Sequence, residues 1–218
     1  MPNTSSSQPV RINHNALTPY APYITQWSEE HEPPSQLITR PGRGIAYLDE
    51  NRTDRDKHGV LWFRTLSRRG QGQPLFNKVH PLRQRRAMRG LLCGVCGKPA
   101  DRNDDGVLWL LRDFRDDWPG WPHGMGAIEP PVCRPCVPLA SRLCPSLRKG
   151  AVAVRARHAP IAGVRGALYH GGGDLAPAPS GEVTVAYEDP LARWVKASNL
   201  VRELFDCTLV EVESLCRS

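Results

Sequence analysis

Long apolar runs are missing from this 218-residue chain, and no stretch approaches the ~18 consecutive apolar residues that make a candidate membrane-spanning helix. Residues Met1 to Gln8 carry neither the basic n-region nor the apolar h-region of a secretory signal, so a cytoplasmic location with reduced thiols is expected. Complete catalytic signatures are also missing. There is no Gly-x-Ser-x-Gly elbow, no Walker loop and no Gly-x-Gly-x-x-Gly following a strand pattern. The run Gly171–Gly173 is followed by Asp174 and prolines, which suits a flexible linker better than a phosphate cradle. His58, His80, His158 and His170 each lack a recognisable catalytic partner. Binding is therefore expected ahead of catalysis.

Proline (21) and glycine (19) are abundant instead, and they point to short elements and many turns. Lysine is scarce. Arginine outnumbers it 24 to 5, the bias of a high-GC bacterial genome. The net charge of +7 is concentrated: residues 51–100 hold twelve Lys/Arg against Asp54 and Asp56, while the rest of the chain sums to −3. Such a patch is the electrostatic footprint expected for nucleic acid or another polyanion. Its candidate contacts are Arg68, Arg69, Arg83, Arg85, Arg86 and Arg89. The last four follow Pro81, which suits a helix N-terminus, and precede Gly90, which suits its end.

Residues 1–35 read as an extended, polar, proline-punctuated arm, ordered where Tyr20, Tyr23, Ile24 and Trp27 pack on the body. Residues 36–150 read as a β-hairpin, built from Ile45–Leu48 and Val60–Leu66, followed by a cysteine-bearing module. The segment Asp54–Trp62 matches Asp101–Trp109 at six of nine positions, an offset of 47 residues that suggests a duplicated hairpin. Residues 151–218 read as a strand-plus-helix unit. Strands are expected around Val152, Val164 and Val183. A helix is expected after Pro190 with Asp189 as N-cap, because Leu191, Trp194, Val195, Ala197, Leu200, Val201, Leu204 and Phe205 recur near a 3.6-residue period.

Two Cys-x-x-Cys pairs, Cys93/Cys96 and Cys133/Cys136, supply the strongest chemical signal. Thiolate is a soft ligand, and four of them in a tetrahedron suit one closed, structural Zn²⁺. Cys144 and Cys207 read as core, and Cys216 has no assigned role. A knuckle, a hairpin and a second pair at a helix start, over Leu91 to Gly150, resemble the treble-clef zinc finger. Among treble clefs the resemblance extends to the HNH endonucleases, whose cysteine pairs bracket a catalytic histidine. That family's adjacent Asp-His and its later Asn and Lys are absent here, leaving His123 as the lone counterpart and Asp113, Asp116 and Asp117 as possible Mg²⁺ ligands. The expectation is an α+β, zinc-stabilised, non-enzymatic binding protein associated with nucleic acid. The alternatives are a protein-interaction adaptor that exposes Trp118 and Trp121, and a divergent HNH-like nuclease.

Overall fold

Pro160 separates two strands, Ala151–His158 and Ile161–Gly172, that run in the same direction and pair end to end with one long antiparallel partner, Val195–Val210. Proline has no N–H to give the ladder. Its carbonyl still accepts from Glu203 N–H at 3.1 Å, so the ribbon is interrupted without being cut. The computed structural model describes residues 18–172 and 175–216. In chain order the strands are β1 (Thr25–Trp27), β2 (Leu37–Arg40), β3 (Gly44–Tyr47), β4 (Leu61–Trp62), β5 (Pro74–Val79), β6 (Arg102–Asn103), β7 (Gly106–Arg112), β8 (Met125–Ala127), β9 (Ala151–His158), β10 (Ile161–Gly172), β11 (Leu175–Ala186) and β12 (Val195–Val210). Helices α1 (Pro81–Gly90), α2 (Val137–Leu143) and α3 (Val212–Cys216) are short. The fold is mixed α and β with strands dominant.

One sheet has the order β11-β10-β12-β9-β7-β6, and β12 takes β4 and β8 on its opposite edge. The central strand therefore draws partners from both sides of residue 150. Between β4 and β8 that edge would leave Leu200 unpaired. The buried side chain of Gln84 fills the gap: Leu200 N–H donates to its Oε1, and its Nε2 donates to the Leu200 and Ile128 carbonyls, all at 2.7–2.9 Å. A helix side chain thus completes a strand ladder, satisfying buried backbone groups that would otherwise each be costly.

The β7–β9 pair is covered on both faces. Val107, Trp109, Leu111, Val152, Val154 and Ala156 pack on one side with Trp121 and Leu204. Leu108, Leu110 and Ala153 pack on the other with Cys93, Val132 and Val137, so the cysteine module is itself a core layer. A separate cluster under α1 holds Trp62, Met88, Val164, Val195 and Leu200.

Helix α1 forms where expected. His80 is its N-cap, accepting from Arg83 N–H through Nδ1, and Pro81 occupies the first turn. The expected C-terminal helix does not form. Asp189 does cap a turn, accepting from Leu191 N–H, but Pro190–Trp194 is a single 3-10 segment and the chain then enters β12. Residues 195–202 are covered on both faces, so Lys196 and Arg202 are buried along with Val195, Ala197, Leu200 and Val201. A strand covered on both faces need not alternate, and here polar residues interrupt the apolar ones so that Val195, Ala197, Leu200, Val201 and Leu204 imitated a helical period.

The expected hairpin is corrected as well: β3 pairs with β2, and β4 runs parallel to β12. The Gly171–Gly173 run, read as a flexible linker, begins within β10, where Gly172 lies opposite Leu175 in the β10–β11 hairpin; residues 173 and 174 lie outside the described residues. In the arm, β1 pairs with β5 and Trp27 is buried, while Tyr20 is exposed. The first 17 residues of the arm lie outside the described residues.

Candidate metal centre and basic surface

Leu92 and Pro99 bridge across a tight turn that carries Cys93 and Cys96. Cys93 N–H donates to the Lys98 carbonyl at 2.7 Å, and Gly97 N–H donates to the Cys93 carbonyl at 2.8 Å. Gly97 sits at φ +75°, and a Cβ there would meet the Tyr23 ring at 2.9 Å. Both the turn and the arm lying over it therefore require glycine. The second pair occupies a 3-10 turn, Arg134–Cys136, that leads directly into α2, with Cys136 N–H donating to the Cys133 carbonyl. The segment before it ties the halves together. Gly94 N–H donates to the Pro131 carbonyl, and Val132 N–H donates to the carbonyl of Leu108 in β7.

These turns bring all four sulfurs within 4.8 Å of one another, and the Cys96 and Cys133 sulfurs are 3.6 Å apart. For a tetrahedral ion with metal–sulfur bonds of ~2.3 Å, sulfurs are expected at roughly 3.8 Å, so the donor set has the size such an ion needs. Among the described residues this is the only such group of metal-ligating side chains. Cys93 is buried, Cys133 and Cys136 are half-buried, and Cys96 is the most open. Burial pushes the Cys133 thiol up to about 11, and burial together with the adjacent Cys133 sulfur pushes Cys136 higher still. At Cys96 burial acts upward too, but the Lys98 N–H and the neighbouring thiols outweigh it and hold that group below its usual value. A cation held among the sulfurs would supply the positive charge that lets all four ionise together. Four thiolates would fill a tetrahedral shell and leave no open position, which suits a structural ion.

The arginines do not act as one set. Arg83 is buried and donates to both carboxylate oxygens of Glu30, so it is withdrawn from the expected nucleic-acid surface and serves the fold. Arg68 and Arg69 are exposed on the β4–β5 connection, whose Leu66 carbonyl accepts from His80 Nε2 at the start of α1. Arg69 lies 5.6 Å from the Tyr23 ring centroid. Toward the other end of α1, Arg85, Arg86 and Arg89 converge with Leu82, Gly90 and Leu92 around a shallow depression of about 540 Å³. Arg86 and Arg89 are exposed; Arg85 is half-buried, with its guanidinium 4.3 Å above the Trp62 ring. Burial and the neighbouring Arg89 charge both lower the Arg85 group from its ordinary value. Among the described residues none of these three arginines is in an ion pair, whereas Arg43, Arg55, Arg64, Arg83, Arg115, Arg155, Arg157 and Arg165 all are.

Beneath the depression, buried Arg202 donates to the carbonyls of Met88, Arg89 and Ala159. It thereby neutralises the negative end of α1 with a fourth positive charge.

The remaining candidates are not brought together. Trp121 is buried in the core beside β7, so the expected exposed pair reduces to Trp118, which is 40% exposed. His123 accepts from Asp206 N–H through Nδ1 and meets the Phe205 ring edge-on, and it forms no part of the cysteine cluster. Asp113 is held by Arg115 rather than grouped with Asp116 and Asp117. Cys207 is half-buried against the β7–β9 core, and Cys144 forms no part of the cysteine cluster. Sequence reasoning missed Gln84, Arg202 and the Glu30–Arg83 pair, all set by contacts distant in the chain. No helix among the described residues is long and apolar enough to cross a membrane. No protein-family model, curated protein or solved structure matches this chain.

Proposed function

We propose that this chain is a zinc-stabilised, non-enzymatic binding protein whose ligand is nucleic acid, held through its phosphates by the α1 arginines. The observation that carries this reading is the convergence of Arg85, Arg86 and Arg89 on one depression, with none of the three in an ion pair among the described residues and only the carboxylate charge of Asp56, at a distance, acting on Arg85. Unpaired guanidinium groups around a shallow surface suit phosphate oxygens, which they bind in forked geometry. Zinc is the favoured ion because four thiolates select a soft or borderline metal and zinc takes them in a closed tetrahedron. What supports a treble-clef-like reading of this module is the succession of a knuckle, the β6–β7 hairpin and a second pair opening α2; what departs from it is that β7 runs on into the main sheet and α2 is only seven residues long.

The test is fluorescence anisotropy with a generic oligonucleotide between ~50 and ~200 mM salt, where phosphate-driven binding falls steeply. Replacing Arg86 and Arg89 with Ala should flatten the plot of log affinity against log salt by about 1.4 to 1.8, two contacts' share. An unchanged slope would remove the nucleic-acid reading. Elemental analysis of the purified protein should find one zinc per chain.

A further inference from the structure

The exposed imidazole of His58 lies flat on the Tyr187 ring, with centroids 3.8 Å apart and planes 17° from parallel. Its position is not accidental. His58 N–H and Val60 N–H both donate to Asp56 Oδ1, which folds the turn back on itself. Tyr187 Oη and Trp62 Nε1 both donate to Asp56 Oδ2, at 3.0 Å each. Four donors thus hold one carboxylate, and with it the turn, the tyrosine and the tryptophan in a fixed arrangement.

That arrangement adjoins the arginine depression. Trp62 carries the Arg85 guanidinium on its face, and the charges of Arg85 and Arg89 both act on the Tyr187 hydroxyl. Burial and Asp56 push the Tyr187 hydroxyl well above its ordinary value, so the ring stays neutral and the carboxylate is largely spent on internal donors. Among the described residues the other face of His58 has no ring partner.

We infer that this surface selects single-stranded nucleic acid: an unpaired base stacks on the open face of His58 while its flanking phosphates meet Arg85, Arg86 and Arg89. The inference rests on the phosphate-binding reading above and adds the choice of strand state. Its physical basis is access. A base inside a duplex has both π-faces covered by its neighbours and cannot reach a ring that stands on the protein surface, whereas an unpaired base can. A ring already stacked on Tyr187 is also pre-ordered, so little side-chain freedom is lost when the base arrives.

Anisotropy titrations of the full chain with a fluorescent single-stranded oligonucleotide and with a duplex of the same sequence test this directly. The wild type should prefer the single strand. His58→Ala should weaken single-strand binding by about tenfold and duplex binding by less than about twofold, because one stacked base is lost. His58→Trp should restore or tighten single-strand binding. If His58→Ala leaves single-strand affinity unchanged while the Arg86→Ala/Arg89→Ala double variant lowers it, the stacking inference fails and the phosphate reading stands. If the double variant also leaves it unchanged, both fail. A wild type that prefers the duplex would likewise overturn the inference.

Discussion

Arg83 grips Glu30 with two parallel hydrogen bonds, at 2.6 and 2.5 Å, and the carboxylate is completely buried. Trp27 N–H and Arg68 N–H complete its acceptor set, and the second Arg83 amino group also donates to the Thr25 carbonyl. The pair therefore fastens the N-terminal arm and the β4–β5 connection to α1. Arg83→Ala would leave a buried charge without its partner, at a cost of about 3–5 kcal/mol. Urea denaturation should show that loss. Arg86→Ala and Arg89→Ala, on the exposed face of the same helix, should each stay within about 0.5 kcal/mol of wild type.

Acid should unfold the protein in two stages. Burial lowers the His80 group below 6.5, keeping it neutral in the folded state with Nε2–H directed at the Leu66 carbonyl. Its depressed value means the unfolded chain binds the proton more readily, so stability begins to fall as pH drops below about 6.5. For Glu30, burial acts upward but the Arg83 hydrogen bonds and the Trp27 N–H outweigh it, leaving the carboxyl below 4.5. Asp54 behaves alike, with Arg64 prevailing over burial to hold it below 3.8. Their contribution is complete above those values and is lost as pH falls through the lower folded-state ones. Denaturation midpoints from pH 8 to 3 should decline gently at first and then steeply; a flat profile down to pH 5 would contradict a neutral, buried His80.

The cysteine pairs were legible in the sequence because each is local: a spacing of three residues, with Gly94 and Gly97 in the first turn and Pro135 in the second, suffices to mark them. The same holds for α1, whose proline and glycine lie within its own ten residues. Arg83 was not legible as structural because its partner is 53 residues away and belongs to the arm. The β12 strand was misread for a related reason. Its conformation is fixed by β9 and β10 on one edge and by β4, Gln84 and β8 on the other, and none of that pairing leaves a local mark. The His58–Tyr187 stack joins residues 129 apart, beyond the reach of any motif.

Metal removal should be felt outside the cysteine module. Cys93, Val132 and Val137 pack directly on Leu108, Leu110 and Ala153, and Val132 N–H donates to the Leu108 carbonyl. Binding free energy at such a site is folding free energy. A strong chelator, or Cys93→Ser, should therefore lower the melting temperature and accelerate amide exchange in β7 and β9 as well as in residues 91–100. Loss of protection confined to the two knuckles would show that the sheet is stable without its cover.

The two tryptophans of the 117–122 loop should separate cleanly. Trp121 is 6% exposed and packs in the layer with Trp109 and Leu204, so Trp121→Ala should cost about 3–5 kcal/mol in unfolding free energy. Trp118→Ala removes a half-exposed ring and should change stability by no more than about 0.5 kcal/mol. Equal losses in the two variants would mean that the loop does not act as a lid over β7.

Gly59 and Gly106 hold equivalent positions in the two similar segments, and their surroundings show how far the similarity extends. In both segments an aspartate carbonyl accepts from a residue just past the turn, Trp62 N–H for Asp54 and Leu108 N–H for Asp101, one register position apart. Both glycines have positive φ, +82° and +111°. Gly59 faces open space, whereas a Cβ on Gly106 would meet the Ala156 carbonyl oxygen at 2.1 Å, because β9 lies against that turn. Gly59→Ala should therefore cost only backbone strain, about 1–2 kcal/mol. Gly106→Ala adds a collision with backbone that cannot rotate away, and the total should reach about 3 kcal/mol or more. Equilibrium denaturation of the two variants measures the difference. Equal costs would mean that β9 yields to the new methyl group, and that the second turn is no more constrained than the first.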